Sequence, residues 1–309
     1  MKKTKLFLFS LIVLAALVFF YFSENRHRSI ALRLKQIPQD EYQCLDVFFR
    51  TYIDDLGYCL FGNKPMAVFG YRDPLVQVKE VDAMFDRFYF TFGPINLNRY
   101  RGWELWKKNQ RFFPMKNYAF IKSKNFIDND YEALVFINKK EFIETVHNHL
   151  SDFRKVLGKE ITPEGLLEEV LTSKDVFGDV FKHHQGLIGT VLGYGRNNAW
   201  LFHRREEMAS SNGAISPLLG RPTNFIKKLS KSFSQEELEA FNQILQPFDN
   251  RGILDFNPLY LGLPGFVADP NSEETKQLKV RYEQQYRQII HRYQKGDFLE
   301  ITLQQMTSD

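Results

Sequence analysis

The chain has 309 residues, 44% of them hydrophobic, with 41 Lys and Arg against 37 Asp and Glu. Residues 1–28 hold five of the basic and one of the acidic residues, leaving a neutral remainder with 36 of each, so global charge gives no support for a nucleic-acid-binding protein. About 280 residues suffice for one large domain or two small ones, and 30 Phe, 14 Tyr and 3 Trp predict a phenylalanine-rich core rather than a stacking surface.

At the N-terminus, Met1-Lys2-Lys3-Thr4-Lys5 leads into an apolar run over 6–22, followed by Arg26-His27-Arg28. Such a run spans roughly 25 Å as a helix, close to the ~30 Å hydrocarbon core and longer than the usual core of a signal peptide. It predicts one N-terminal transmembrane helix in contact with the lipid bilayer. A cleaved export signal needs small residues before its cut, and the run ends in the bulky Val18-Phe19-Phe20-Tyr21-Phe22. No cysteine precedes Cys44, so a lipoprotein-type cut has no acceptor. Three lysines and the terminal amine on a five-residue tail favour the tail inside and the large domain outside, although Arg26, Arg28, Arg33 and Lys35 flank the other side. The division is then 1–23 membrane anchor, 24–38 linker and 39–309 soluble globular domain, with a subdivision near 158 left open.

Beyond the linker, Leu45, Phe48, Phe49, Tyr52 and Ile53 fall at helical spacing in a helix over 40–56 that Gly57 is placed to end. On one such helix Cys44 and the following Cys59 lie too far apart for a bridge, so two buried free thiols are expected. Short strands are expected at 59–61 and 66–69 around Gly62-Asn63-Lys64-Pro65, and helices at 75–92 and 97–113. Residues 118–122 and 131–137 alternate and read as a hairpin. A helix over 139–157 carries Phe142, Val146, Leu150, Phe153 and Leu157 on one face. Thr162 caps a helix beginning at Pro163, further helices follow at 174–182 and 185–208, and Ser234-Gln235-Glu236-Glu237 forms a capping box. Ser272 opens a long charged helix to about 295. The fold class is α+β: a helix-dominated soluble domain with a small, mostly antiparallel sheet. Strands do not alternate regularly with helices, so a Rossmann-type sheet is excluded.

Motifs with known chemistry are missing. The string Gly189-Thr-Val-Leu-Gly-Tyr-Gly-Arg-Asn-Asn198 has no Lys-Ser/Thr after its last glycine and Asn198 where a third dinucleotide-motif glycine should stand. Gly186, Gly189 and Gly193 share one helical face and predict close packing. Beside them Arg196, Trp200, His203 and Glu207 form a ridge suited to an anion or polar ligand. The seven histidines lack metal-ligand spacing, so no metal and no cofactor is expected. Nucleophile signatures are absent and catalytic residues stay unassigned. Between Arg99 and Lys124 eight basic residues face only Glu104, with Trp103 and Trp106 interleaved. Arg99, Arg101, Trp103, Trp106, Lys107, Lys108 and Arg111 are therefore the candidates for an anionic lipid or envelope-polymer surface. The alternative is a core-facing aromatic stripe with a solvated basic back.

Three strings, Gly57-Tyr58-Cys59-Leu60-Phe61-Gly62-Asn63-Lys64-Pro65, Gly193-Tyr194-Gly195-Arg196-Asn197-Asn198-Ala199 and Lys295-Gly296-Asp297-Phe298-Leu299-Glu300, resemble those of an uncharacterised group of membrane-anchored proteins from chlamydia-like intracellular bacteria. The resemblance implies a bacterial envelope setting and a single folded unit, and supplies no activity. The expectation is a single-pass protein of the bacterial inner membrane, its body on the periplasmic side acting as a binding or interaction module. Two rivals stay open: an envelope-polymer hydrolase or transferase using a cleft near Arg196, His203 and Glu207, and a purely structural membrane protein. Protein partners are not identified.

Overall fold

The computed structural model describes residues 30–71, 100–124, 132–211, 235–248 and 261–308. Among these residues no helix is long and apolar enough to cross a membrane. The apolar run at 6–22, the helix expected at 75–92 and Arg99 lie outside them.

Three strands, β1 (Met66–Tyr71), β2 (Tyr118–Lys124) and β3 (Glu132–Asn138), form an antiparallel sheet in the order β1-β3-β2. The register pairs Val68 with Val135 and Ile121 with Val135 from the other side. Alternation of side chains across a strand splits the sheet between two cores. Ala67, Phe69, Tyr118, Phe120, Leu134 and Phe136 join one, and Met66, Ala133, Val135 and Ile137 join the other. This explains why β3 is apolar at nearly every position: it is covered on both faces.

The first core is closed by α1 (Gln39–Thr51), α2 (Ile53–Phe61), α3 (100–109), α10 (Glu273–Tyr293) and α11 (Phe298–Met306). It is built from aromatic rings in edge contact: Phe49 against Trp106 at 5.4 Å, and Trp103 against Phe120 at 5.1 Å. The second core is closed by α4 (Lys139–Asn148), α5 (Leu150–Leu157), α6 (Pro163–Thr172), a π turn at Val176–Val180 and α7 (Gln185–Val191). Then come α8 (Arg196–Ser211), α9 (Gln235–Ile244) and a two-stranded pair, β4 (Gln246–Pro247) with β5 (Val267–Ala268). Two of the expected caps are formed, Thr162 Oγ1 accepting from Gly165 N–H and Ser272 Oγ from Thr275 N–H, while Ser234 of the expected capping box lies outside the described residues.

The structure corrects several boundaries. Residues 30–34, read as linker, form a helical turn whose Ile30 and Leu34 are buried in the first core. Residues 59–61 are the end of α2, not a strand. That helix runs through Gly57, where α10 packs close: a Cβ there would stand 3.4 Å from Ile289 Cγ2. Cys44 and Cys59 are buried free thiols on two helices rather than one. The segment 139–157 breaks at His149 into α4 and α5, and the 174–182 helix contracts to the π turn, after which Lys182 and His183 take positive φ.

The helix expected over 185–208 is two helices, broken at Leu192–Gly195, with Gly193 at φ 78° and Gly195 at φ 87°. Gly193 thus leaves the proposed three-glycine face, while Gly189 lets α7 and α8 approach: a Cβ there would lie 2.8 Å from the Ala199 Cβ. Gly189→Leu is expected to overpack this contact and lower the unfolding free energy by about 3 kcal/mol, read from the urea midpoint.

A charge-mixed cleft as candidate functional site

Two helices present polar stripes at the same spacing. Glu141, Glu144, Thr145 and Asn148 lie along α4 at i, i+3, i+4 and i+7, and Glu274, Gln277, Leu278 and Arg281 repeat that spacing on α10. The stripes line a cleft of about 390 Å³, completed by Asn63, Pro65, His149 and the turn at Gly193, Gly195 and Arg196. The first two of the three motif strings meet here. The third does not, since Asp297 caps α11 by accepting from Glu300 N–H and also accepts from the Tyr42 hydroxyl.

The turn from α7 to α8 is fixed by tertiary contacts. The Tyr282 hydroxyl donates to the Gly193 carbonyl at 2.6 Å. The Glu274 carboxylate accepts from the N–H groups of Asn197 and Asn198 at 3.2 and 3.1 Å, and so satisfies free donors at the start of α8. A Cβ at position 195 would stand 2.6 Å from that carboxylate. Glycine is required there by both space and φ. Asn198 is buried, donating to the Tyr194 carbonyl and accepting from Asp269 N–H. The Gly-Tyr-Gly-Arg-Asn-Asn string is thus a structural tie whose helix N-terminus is already occupied by Glu274.

Between the lining residues Asn63 and Pro65, Lys64 turns inward and is completely buried. Its ammonium donates to Asp55 Oδ1 at 2.6 Å and lies 5.0 Å from the Tyr194 ring centroid. Burial pulls this ammonium down most strongly; the Asp55 carboxylate, together with Tyr194, Tyr282 and Cys59 around it, holds Lys64 above the usual lysine range. The pair joins α2 to the α7–α8 turn beneath the cleft.

Within the cleft, burial and then the neighbouring Glu144 push the Glu141 carboxyl up, while burial pushes His149 down. Arg281 Nε is buried with no hydrogen-bond partner. Arg196 is not free: its Nε donates to Asp152 Oδ2 at 2.9 Å and its second nitrogen to Oδ1 at 3.2 Å, a bidentate pair that draws Asp152 below the usual carboxylate range.

The other residues of the predicted ridge continue along α8 from Arg196, whose guanidinium lies over the Trp200 ring at 5.1 Å. Trp200, His203 and Glu207 share α8 with Arg196, but they do not line the cleft. The His203 ring stacks on His184 with centroids 3.8 Å apart, beside Trp200, and His203 Nε2 lies 3.6 Å from Glu207 Oε1. His184 Nδ1 also accepts from Leu187 N–H and caps α7. Arg196 therefore pins α5 to α8, and it is the one residue of the four that lines the cleft. Burial pushes both His184 and His203 from 6.5 down to about 4. A histidine held neutral by the fold costs stability as acid protonates the unfolded chain first. Unfolding free energy is expected to fall as the pH drops from 6.5 towards about 4. His184→Asn with His203→Leu, which keeps the cap, is expected to flatten that slope in urea titrations.

The proposed anionic strip is also corrected. Trp103 and Trp106 are buried, at 4% and 1% exposure, because their face of α3 packs on α1 and the sheet. Arg101, Lys107 and Lys108 pair with Asp40, Glu104 and Glu41. Arg111 alone of the described candidates keeps its guanidinium outside an ion pair, over Phe112 at 4.7 Å. The interleaving of aromatic and basic residues records a helix with one core face and one neutralised face. Sequence reasoning missed Lys64, Glu274 and Arg281; the stripe spacing on α4 and α10 was the one available signal. Among the described residues no group of three or more His, Cys, Asp and Glu side chains is arranged to hold a metal. No family model, curated protein or solved structure matches the chain.

Proposed function

We propose that the chain is a single-pass protein of the bacterial inner membrane, held by residues 6–22, whose folded body outside that membrane binds a small polar ligand in the cleft between α4 and α10. The observation that carries the binding half is the cleft's composition: Glu141 and Glu144 on α4 stand across from Arg281 on α10. A guanidinium lining the cleft suits a carboxylate, which accepts from its N–H groups. The carboxylates on the facing helix suit an ammonium group. A zwitterion of amino-acid or short-peptide size satisfies both ends and fits a cleft of about 390 Å³.

Support for the membrane half is the apolar run and the basic tail before it. The bacterial setting rests on the three-string resemblance. An enzyme using Arg196, His203 and Glu207 is not favoured, because Arg196 is engaged by Asp152 and the other two lie outside the cleft. The test is a thermal-shift titration of the detergent-solubilised full chain with amino acids, dipeptides and their amides. Wild type is expected to be stabilised by zwitterions, and Gln277→Trp, which fills the cleft from its rim, is expected to lose the response. A shift that survives Gln277→Trp contradicts the assignment, as does absence of a shift with every zwitterion.

A further inference from the structure

We infer that the face carrying Leu32, Arg33, Lys35, Arg111 and Phe112 seats the folded body directly on the anionic headgroup surface of its own membrane. The inference rests on the membrane half of the reading above and adds the orientation of the body.

Large apolar side chains exposed among the described residues include Leu32 at 60% and Phe112 at 42%. These two lie on neighbouring segments, because Arg33 donates to the Phe112 carbonyl. The turn that displays Leu32 is held firmly beneath: Ile30 and Leu34 are buried in the same core as Trp106 and Phe113. Arg33, Lys35 and Arg111 surround the apolar pair, all exposed and with no carboxylate partner among the described residues. The adjacent cations Arg101, Lys107 and Lys108 are all neutralised. The positive charge left over is therefore concentrated where the two apolar side chains protrude. Exposed aliphatic and aromatic groups ringed by Arg and Lys are the chemistry of a surface that meets lipid headgroups.

Chain length then fixes which face meets the membrane. Seven residues, 23–29, separate the apolar run from Ile30, and they reach at most about 25 Å when fully extended. A domain of this size has a radius of gyration near 19 Å. So short a tether keeps the surface around Ile30 next to the bilayer and the far side away from it. Charge complementarity and tether length single out the same face, and the occupant they specify is a phosphate-bearing lipid surface.

The test uses the full chain reconstituted into vesicles of phosphatidylcholine with and without phosphatidylglycerol. An environment-sensitive fluorophore is attached at Phe112→Cys, and in a second preparation at Val280→Cys, an exposed position on α10; Cys44 and Cys59 are buried. In phosphatidylglycerol vesicles the label at 112 is expected to be shielded from aqueous iodide and quenched by headgroup nitroxide lipid, and the label at 280 to behave oppositely. Reversal of Arg33, Lys35 and Arg111 to Glu is expected to expose the label at 112, each reversal weakening docking about fivefold or more. Equal iodide quenching at 112 and 280, in protein that resists carbonate extraction, overturns the seating alone. Release of the wild-type chain by carbonate overturns the anchor and the seating with it.

Discussion

Asp55→Asn is expected to lower the unfolding free energy by about 3–5 kcal/mol, because it strands the completely buried Lys64 ammonium without a counter-charge. The cost is asymmetric. Lys64→Met is expected to be milder, since the Asp55 side chain is 29% exposed and gains water when its partner is lost. The double substitution Asp55→Asn with Lys64→Met, which removes both charges, is expected to recover most of the loss. Urea unfolding of the four proteins gives the cycle directly. A small effect of Asp55→Asn means that another group compensates Lys64, and the account of the tie beneath the cleft is then wrong.

Gly193→Val is expected to be comparably damaging. The φ of 78° there costs a residue with a Cβ about 1–2 kcal/mol. The added Cβ would stand 2.7 Å from the Tyr282 hydroxyl and 3.3 Å from the Pro65 ring, for another 1–3 kcal/mol or so of overpacking. A loss of about 3 kcal/mol follows, with the hydrogen bond from Tyr282 broken and the floor of the cleft displaced. Thermal unfolding and the zwitterion titration are expected to change together. Wild-type stability with an intact response would show that the α7–α8 turn accommodates a side chain, against the geometry described.

Local pattern carried the sheet and failed at the joints. Strands β2 and β3 were legible because Tyr118, Phe120, Leu134 and Phe136 alternate with residues of the opposite face. The three apolar residues Cys59, Leu60 and Phe61 suit a strand or a helix equally; in the fold they extend α2, which packs at Gly57 against Ile289 of α10, more than two hundred positions away and out of reach of local spacing. The breaks at His149 and at Gly193–Gly195 were hidden because apolar spacing continues across them: Phe142, Val146 and Phe153 still share one core.

The site was harder to see for a related reason. Glu141 and Glu144 on one helix, and Glu274 and Arg281 on another, read separately as solvated faces; only tertiary structure sets them across one cleft. Lys64, between Asn63 and Pro65 in a turn, carries no local mark of burial, because its counter-ion comes from α2 and its aromatic neighbour from the α7–α8 turn. The tryptophans misled for the opposite reason. Their neighbours Lys107 and Lys108 suggested a surface, whereas Trp103 and Trp106 fill the core between α1, α3 and the sheet.

Tethering, seating and presentation of the cleft all depend on retention of the N-terminal run. The direct measurement is the N-terminal sequence of the mature chain recovered from bacterial membranes after high-salt and carbonate washes. The chain is predicted to remain in the membrane pellet and to begin at Met1 or Lys2, with residues 6–22 intact. A mature protein that begins anywhere after Leu17 contradicts the account.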